Sequence, residues 1–175
     1  MTKQSLLTHT IVDTSIGHIL IVGTEQGLRG ISIYTSRKSA LENVAQQFHE
    51  SIESPDAFAD LPQRLKEYSL GKRITFNDKL DFSNATPFKR AVWEATRAIP
   101  YGETRSYEWI AQRIGRPEAA RAVGQALSQN PFLIVVPCHR IIGKDGRLTG
   151  FSCGIDIKKR LIELEDSSPS GNRVN

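Results

Sequence analysis

The chain has 175 residues, which is enough for one or two small domains with buried cores. Its formal charge of +4 and its pI of about 9.2 favour a polyanionic partner. There is no apolar run of membrane-spanning length, no signal-peptide core, and with two cysteines no disulfide framework. We therefore expect a cytoplasmic protein without a membrane partner, associated with the nucleoid if the source is prokaryotic.

The amino-terminal part of the chain begins with a strand pattern. Apolar residues alternate with polar ones over residues 9–35, which predicts strands separated by turns at residues 15–17 and 26–27. Residues 37–49 are predicted to form a helix. The apolar face of that helix is predicted to consist of Leu41, Val44, Ala45 and Phe48.

The next stretch leads towards a second domain. A second helix is predicted over residues 58–69 and a further strand over residues 73–76, followed by a linker over residues 78–86. Thr86 can cap the helix after the linker, with Pro87 in its first turn.

Two short helices around a glycine are the next predicted feature. Ser106 can cap a helix over residues 107–114, and Gly115 suits its carboxyl end. Pro117 suits the first turn of a second helix, which ends near Gln129. The apolar stripe of the second helix is formed by Ala120, Val123, Gly124 and Leu127. The pattern is typical of a helix-turn-helix, and an αα-hairpin with solvated arginines fits it equally well.

These elements predict an α/β domain over residues 1–83, a mostly helical domain over residues 84–166 and a polar, disordered tail over residues 167–175. The last helix is predicted over residues 157–165. Basic residues outnumber acidic ones in residues 84–165, whereas the first domain has a slight acidic excess. The basic charge therefore belongs to the helix pair, which favours DNA as the partner.

A thiol and an imidazole stand side by side at Cys138 and His139. They follow a buried apolar run over residues 132–136, which predicts a strand that Pro137 ends. A neighbouring histidine promotes formation of the thiolate, so the two residues can act as nucleophile and base. Taken alone the pair is a weak signal, since a buried cysteine next to a surface histidine is common.

A long series of spaced motifs runs from residue 86 to residue 165. They are Pro87-Phe88, Val92-Trp93, Ile99-Pro100-Tyr101-Gly102-Glu103-Thr104, Ser106-Tyr107, Arg121-Ala122-Val123-Gly124, Asn130-Pro131, Pro137-Cys138-His139-Arg140, Gly146, Gly150-Phe151-Ser152, Gly154, Lys158, Leu161 and Glu165. Together they closely resemble the O6-alkylguanine-DNA alkyltransferases, also called methylated-DNA–protein-cysteine methyltransferases. Over residues 1–83 the likeness is weaker and is limited mainly to the strand pattern around Gly17 and Gly27-Leu28.

The resemblance implies a ribonuclease-H-like α/β amino-terminal domain and a helical domain with a helix-turn-helix. It implies DNA repair by direct, stoichiometric and irreversible transfer of an alkyl group from O6-alkylguanine to Cys138, with O4-alkylthymine as a further candidate substrate. The base must be flipped out of the duplex, because its O6 atom is inaccessible within the stack. The implied partner is lesion-containing double-stranded DNA, bound by a monomer, and cooperative binding along DNA stays open.

The resemblance also implies a role for each catalytic residue. Cys138 is the nucleophile, His139 takes the thiol proton through a bridging water, and Glu165 orients and stabilises the imidazole. Asn130 supports the turn that holds the cysteine, and the Tyr107 hydroxyl donates to the purine N3. Without the resemblance, the sequence would predict that Glu165 is a solvated carboxylate at a helix end and that Tyr107 is a packing residue.

The substrate pocket is implied in the same way. The backbone N–H of Ser152 faces O6, and the backbone carbonyls of Cys138 and Ile141 accept from the exocyclic amine. Leu127 and Phe151 complete the predicted pocket. Phe151 stands where many relatives have tyrosine, so one hydroxyl is absent.

The DNA-binding residues lie on the second helix of the pair. Arg121 is the implied arginine finger that fills the space left by the flipped nucleotide, and Tyr107 is also counted among the DNA-binding residues. The helix approaches the DNA closely through the small residues Ala120, Ala122 and Gly124. In the family this helix lies in the minor groove, which has little sequence information and so suits repair at any sequence.

Neither a metal nor a cofactor is expected. Some members of the family hold zinc in the amino-terminal half, but here that half has no cysteine, and the four histidines are scattered. Cys153 stands where relatives often have glycine or a bulky aromatic residue, and it reads as a small buried thiol.

Two other functions are weighed against alkyl transfer. A non-catalytic alkyl-lesion binder of the same fold would lack the reactive cysteine, which Cys138 argues against. A thiol hydrolase using Cys138 and His139 would turn over, whereas an alkylated cysteine has no evident route back to a thiol.

Overall fold

The computed structural model describes residues 6–166, which divide into two compact units, one that ends at Phe82 and one that begins at Ser83. The tail predicted over residues 167–175 lies outside the described residues. In the part of the chain that is described, no helix combines the length and the apolar character needed to cross a membrane.

The first unit is built on a four-stranded sheet. Its strands are β1 (Thr8–Thr14), β2 (Gly17–Thr24), β3 (Gly27–Tyr34) and the short β4 (Ile52–Glu53). They lie in the order β3-β2-β1-β4, with antiparallel pairing among the first three and parallel pairing of β4 with β1. The strands and turns predicted within residues 9–35 are confirmed, and β2 is buried along both faces.

The helix α1 (Arg37–Gln47) packs on this sheet with a different face from the one predicted. Leu41 and Ala45 are exposed, so that part of the prediction is wrong. The helix instead packs against Leu20 and Val22 through Ala40, Val44 and Phe48. These three residues are spaced four apart, so they lie on one side of the helix.

The second predicted helix begins later than expected. A short 3-10 helix (Pro55–Phe58) comes first, Ala59 adopts a positive φ of 48°, and α2 then runs over Leu61–Ser69. The strand predicted over residues 73–76 is not present, and this stretch has an irregular backbone. Phe76 is buried with its ring 5.7 Å from that of Tyr68.

The predicted linker over residues 78–86 is attached to the sheet at its start. Leu28 donates its backbone N–H to the carbonyl of Lys79 at 2.8 Å, and Asp81 donates back to the carbonyl of Leu28 at 2.8 Å. Residues 78–81 are therefore part of the first unit.

The second unit is mainly helical. Its elements are α3 (Pro87–Arg97), β5 (Arg105–Ser106), α4 (Tyr107–Arg113), α5 (Ala120–Ser128), a 3-10 helix (Cys138–Arg140), β6 (Ile141–Ile142) and α6 (Ile155–Asp166). The two caps predicted from the sequence are confirmed, since Thr86 accepts from the backbone of Lys89 and Ser106 from that of Trp109. Gly115 follows α4 with a φ of +71°, as a helix end requires.

The second helix of the pair begins three residues after Pro117, which therefore does not lie in its first turn as predicted. Ala119 donates to the carbonyl of Arg116 at 2.9 Å, so residues 116–119 form a turn of their own. This turn joins α4 to α5.

The apolar run over residues 132–136 is buried but is not the predicted strand. Val136 donates to the carbonyl of Phe132 at 2.8 Å, Val135 donates to that of Leu133 at 2.9 Å, and Ile134 has a φ of +72°. These are tight turns, and they bring the Val136 carbonyl and Cys138 within hydrogen-bond distance of Asn130, which follows α5. β6 follows and pairs in parallel with β5.

We predict that Gly27→Ala destabilises the first unit by roughly 3 kcal/mol, since its φ of +139° is strained for alanine and the added Cβ would lie 2.5 Å from the Lys79 carbonyl oxygen. Urea unfolding measures the loss. Gly115→Ala is the matched control, because its φ is positive but no atom lies within 4 Å. The control should lose about 1–2 kcal/mol. Equal losses would show that the contact with Lys79 is unimportant.

Candidate active site

Asn130 fixes the position of the Cys138 thiol. The asparagine is buried just after α5, and its Oδ1 accepts from the backbone N–H of Phe132 at 2.9 Å. Its Nδ2 donates to the carbonyl of Val136 at 2.9 Å and to the Cys138 Sγ at 3.2 Å. One amide thus holds the turn that precedes the cysteine and contacts the sulfur itself.

His139 lies next to the thiol and is paired with Glu165 of α6. The imidazole is fully buried, and its Nε2 lies 2.8 Å from Glu165 Oε1. The contact through Nε2 sets the orientation of the ring relative to the carboxylate. The structure thus brings together Cys138, His139, Asn130 and Glu165, as the sequence resemblance implies.

The Glu165 carboxylate is surrounded by donors. Oε1 also accepts from Arg140 Nη2 at 2.9 Å, while Oε2 accepts from Arg140 Nε at 2.9 Å and from the Gly102 backbone N–H at 3.0 Å. Burial alone would raise the pKa of Glu165, but the hydrogen bonds and charges of His139 and Arg140 outweigh it. The pKa of Glu165 is consequently held well below its usual range, and the group is ionised.

The thiol and the imidazole are both neutral in this environment. Burial raises the pKa of Cys138 to about 11, and the Asn130 hydrogen bond and the charge of Lys158 oppose this only in part. Burial also lowers the pKa of His139 below its ordinary value, although Glu165 acts in the opposite direction. At neutral pH the site therefore combines a protonated nucleophile (Cys138), an unprotonated base (His139) and an anion (Glu165) that can stabilise the base once it is protonated.

Lys158 of α6 connects this site to the loop before α6. The side chain is fully buried, and its Nζ donates to the backbone carbonyl of Thr149 at 2.8 Å. The Thr149 hydroxyl donates to the Tyr107 hydroxyl at 3.0 Å. Burial lowers the pKa of Lys158 to about 8, while attraction to Cys138 acts in the opposite direction.

The predicted pocket residues differ in their exposure. Leu127 on α5 and Ile141 on β6 are buried, whereas Phe151 is half-buried and Ser152 is exposed in the loop after Thr149. The half-buried Cys153 acts on Cys138 in the direction of a higher pKa.

The predicted DNA-binding residues of α5 are all at least partly exposed. Arg121 and Ala122 are exposed, and Ala120 and Gly124 are partly exposed. Gly124 faces Tyr107, since a Cβ added at Gly124 would lie 3.7 Å from the tyrosine ring, at ordinary van der Waals distance.

Sequence reasoning gave no role to Arg140, Lys158 or Thr149. Two are charged residues, which are almost never fully buried unless paired, so a solvated position was the natural expectation. Arg140 and Lys158 lie in the recognised motifs, and that is the one signal that could have singled them out.

Family comparisons cover nearly the whole described chain. The "6-O-methylguanine DNA methyltransferase, ribonuclease-like domain" matches residues 7–82, and the DNA binding domain of the same description matches residues 87–167. A methylated-DNA–protein-cysteine methyltransferase of Methanosarcina barkeri is 42% identical over 160 residues, which cover 91% of this chain and 98% of that relative. These matches confirm the predicted fold class.

Solved structures agree with these matches. The Mycobacterium tuberculosis O6-methylguanine methyltransferase aligns with a TM-score of 0.79 and 38% identity, covering 95% of this chain and 97% of that chain. A Mycobacterium tuberculosis OGT in complex with DNA aligns with a TM-score of 0.78 and 40% identity, covering 91% and 93%.

We predict that Asn130→Ala makes Cys138 less reactive and costs about 1–3 kcal/mol of stability, because the Phe132 N–H and the Val136 carbonyl each lose a hydrogen bond. Loss of the hydrogen bond to Sγ raises the pKa of Cys138 further. The measurement is the rate of iodoacetamide labelling of Cys138 against pH, followed by mass spectrometry.

The labelling rate of Cys153 in the same molecule shows whether the protein unfolds as a whole. Asn77→Ala is the matched control variant, because Asn77 is an exposed asparagine of the first unit. Faster labelling of both cysteines in Asn130→Ala would indicate unfolding. Unchanged labelling of Cys138 in a folded variant would remove Asn130 from the control of the thiol.

Proposed function

The chain belongs to the methylated-DNA–protein-cysteine methyltransferases, and on that premise we propose that it repairs duplex DNA by transferring the alkyl group of O6-alkylguanine to Cys138. The observation that carries the proposal is the buried assembly of Cys138, Asn130, His139 and Glu165, with hydrogen bonds of 2.8–3.2 Å. It supplies a nucleophile, a base and an anion in the order that such a displacement needs.

The transfer is a single displacement. The Cys138 proton passes to His139, through a bridging water, and Glu165 stabilises the resulting imidazolium. The sulfur then forms a bond to the alkyl carbon while the bond from that carbon to O6 breaks, and the electron pair stays on the purine. The product is a thioether at Cys138, which has no leaving route, so each molecule reacts once.

The purine needs donors, because it leaves as a developing anion. The Tyr107 hydroxyl is the proposed donor to N3, and the contact with Thr149 holds it beside the loop that includes Ser152. The backbone N–H of Ser152 is the proposed donor to O6. The backbone carbonyls of Cys138 and Ile141 would accept from the exocyclic amine, and Leu127 and Phe151 would wall the ring.

DNA is proposed to bind along α5. The small side chains Ala120, Ala122 and Gly124 allow the helix to approach the minor groove, and the exposed Arg121 can enter the stack in place of the flipped nucleotide. The alignment with the Mycobacterium tuberculosis protein bound to DNA supports this arrangement. We propose binding as a monomer, with O4-alkylthymine as a second substrate.

The first test uses Cys138→Ser, with duplex DNA containing radiolabelled O6-methylguanine. We expect transfer to fall to background while DNA binding is kept, since serine is nearly the same size but a far poorer nucleophile. Cys153→Ala is the control, and it should keep one equivalent of label on Cys138 in peptide maps. Released label would indicate a hydrolase, and retention of DNA without transfer by the parent protein would indicate a lesion binder.

The second test separates base flipping from chemistry with Arg121→Ala. Flipping costs a few kcal/mol, so transfer from duplex DNA should slow by about 10- to 100-fold. Reaction with free O6-benzylguanine, which needs no flipping, should change by less than about threefold. Arg90→Ala on α3 is the charge-matched control, because this arginine is exposed and pairs with Glu94. Equal losses on both substrates would place Arg121 in the pocket or the fold.

A further inference from the structure

Arg140 is buried beside the catalytic pair, and its guanidinium contacts two separate segments, α6 and the segment after α3. It makes a bidentate ion pair with Glu165 of α6, with both N–O distances at 2.9 Å. Its Nη1 donates to the Ile99 carbonyl at 2.6 Å, and its carbon Cζ lies 5.7 Å from the centre of the Tyr101 ring. Such a fork is rigid, and a single ammonium could not make both carboxylate contacts at once.

The arrangement saturates the carboxylate. Each Glu165 oxygen has one hydrogen bond from Arg140 and one from another donor, His139 at Oε1 and Gly102 at Oε2. These four hydrogen bonds hold both oxygens of Glu165 in place beside the imidazole.

Arg140 also cancels the charge that His139 would otherwise meet. A lone buried carboxylate favours the imidazolium form of a neighbouring histidine. Here the charged groups that act on His139 are Glu165 and Lys158 from α6, and Arg140 from its own segment. The two cations oppose protonation, and the pKa of His139 lies below its ordinary value because burial and these charges outweigh the attraction of Glu165.

We propose that Arg140 is a positioning residue for alkyl transfer, which keeps His139 in its neutral, proton-accepting form by neutralising Glu165 and fixing both of its oxygens. The inference rests on the proposed function, in which His139 takes the proton of Cys138. A purely structural clamp would hold the same segments together without any effect on the protonation of His139.

The test uses the full chain with Arg140→Met, which removes the charge, and Arg140→Lys, which keeps it without the fork. The titration of His139 is followed by NMR, with the other three histidines, all in the first unit, as internal references. The pH–rate profile is measured with free O6-benzylguanine. Arg64→Met breaks a comparable bidentate pair with Asp78 in the first unit and is the matched control.

In Arg140→Met the uncompensated carboxylate should raise the titration midpoint of His139 by at least about one pH unit. Because a larger fraction of the imidazole is then protonated, transfer should be slower at neutral pH and should recover as the pH rises through the new midpoint. Arg140→Lys should show a smaller shift in the same direction. Arg140→Met combined with Glu165→Gln should reverse the rise of the midpoint, and Arg64→Met should leave His139 unchanged.

An unchanged His139 midpoint with an equal loss of rate at every pH, in either folded variant, would overturn the inference and leave Arg140 as a clamp. A faster reaction of Arg140→Met at neutral pH would also overturn it. If Arg140→Met does not fold, the same criteria apply to Arg140→Lys. The NMR titration needs no alkyl transfer, so failure of the parent protein to alkylate Cys138 would reject the proposed function separately.

Discussion

The second unit depends on the burial of one carboxylate. Glu165 is 2% exposed, and removing such a charge from water costs several kcal/mol unless hydrogen bonds and opposite charges replace the solvent. The replacement comes from the Gly102 backbone, from His139 and twice from Arg140. The segment after α3, the 3-10 helix and α6 must therefore be in place together, and the contacts that satisfy the charge also orient the imidazole beside the thiol.

Features set by neighbouring residues could be predicted from the sequence, and features set by distant ones could not. The caps at Thr86 and Ser106 depend on residues three positions away, so their pattern is visible in the chain. The run over residues 132–136 has the composition of a buried strand, but the Asn130 side chain supplies hydrogen bonds that a sheet would otherwise supply, and the run folds into turns. The hydrogen bonds of the buried Asn130 side chain therefore outweigh the strand propensity of residues 132–136.

The candidate site shows the same division. Cys138 and His139 are adjacent, so their possible chemistry could be read directly. The contact between His139 and Glu165 spans 26 residues and came only from the family resemblance, because spacing says nothing about it. Arg140 and Lys158 were missed as parts of the site, since a charged side chain is expected in solvent and only tertiary structure shows that its partner is buried.

The resting chemistry of the thiol suits the single transfer that is proposed for it. With its pKa raised to about 11, Cys138 is almost entirely protonated at neutral pH. A thiolate is the form that stray electrophiles and oxidants attack, so burial protects the residue that the proposed transfer consumes. The groups that favour the thiolate, Asn130 and Lys158, are already in place, and His139 is ready to accept the proton. Under the proposed function, activation therefore depends on a substrate that places its alkyl carbon against the sulfur.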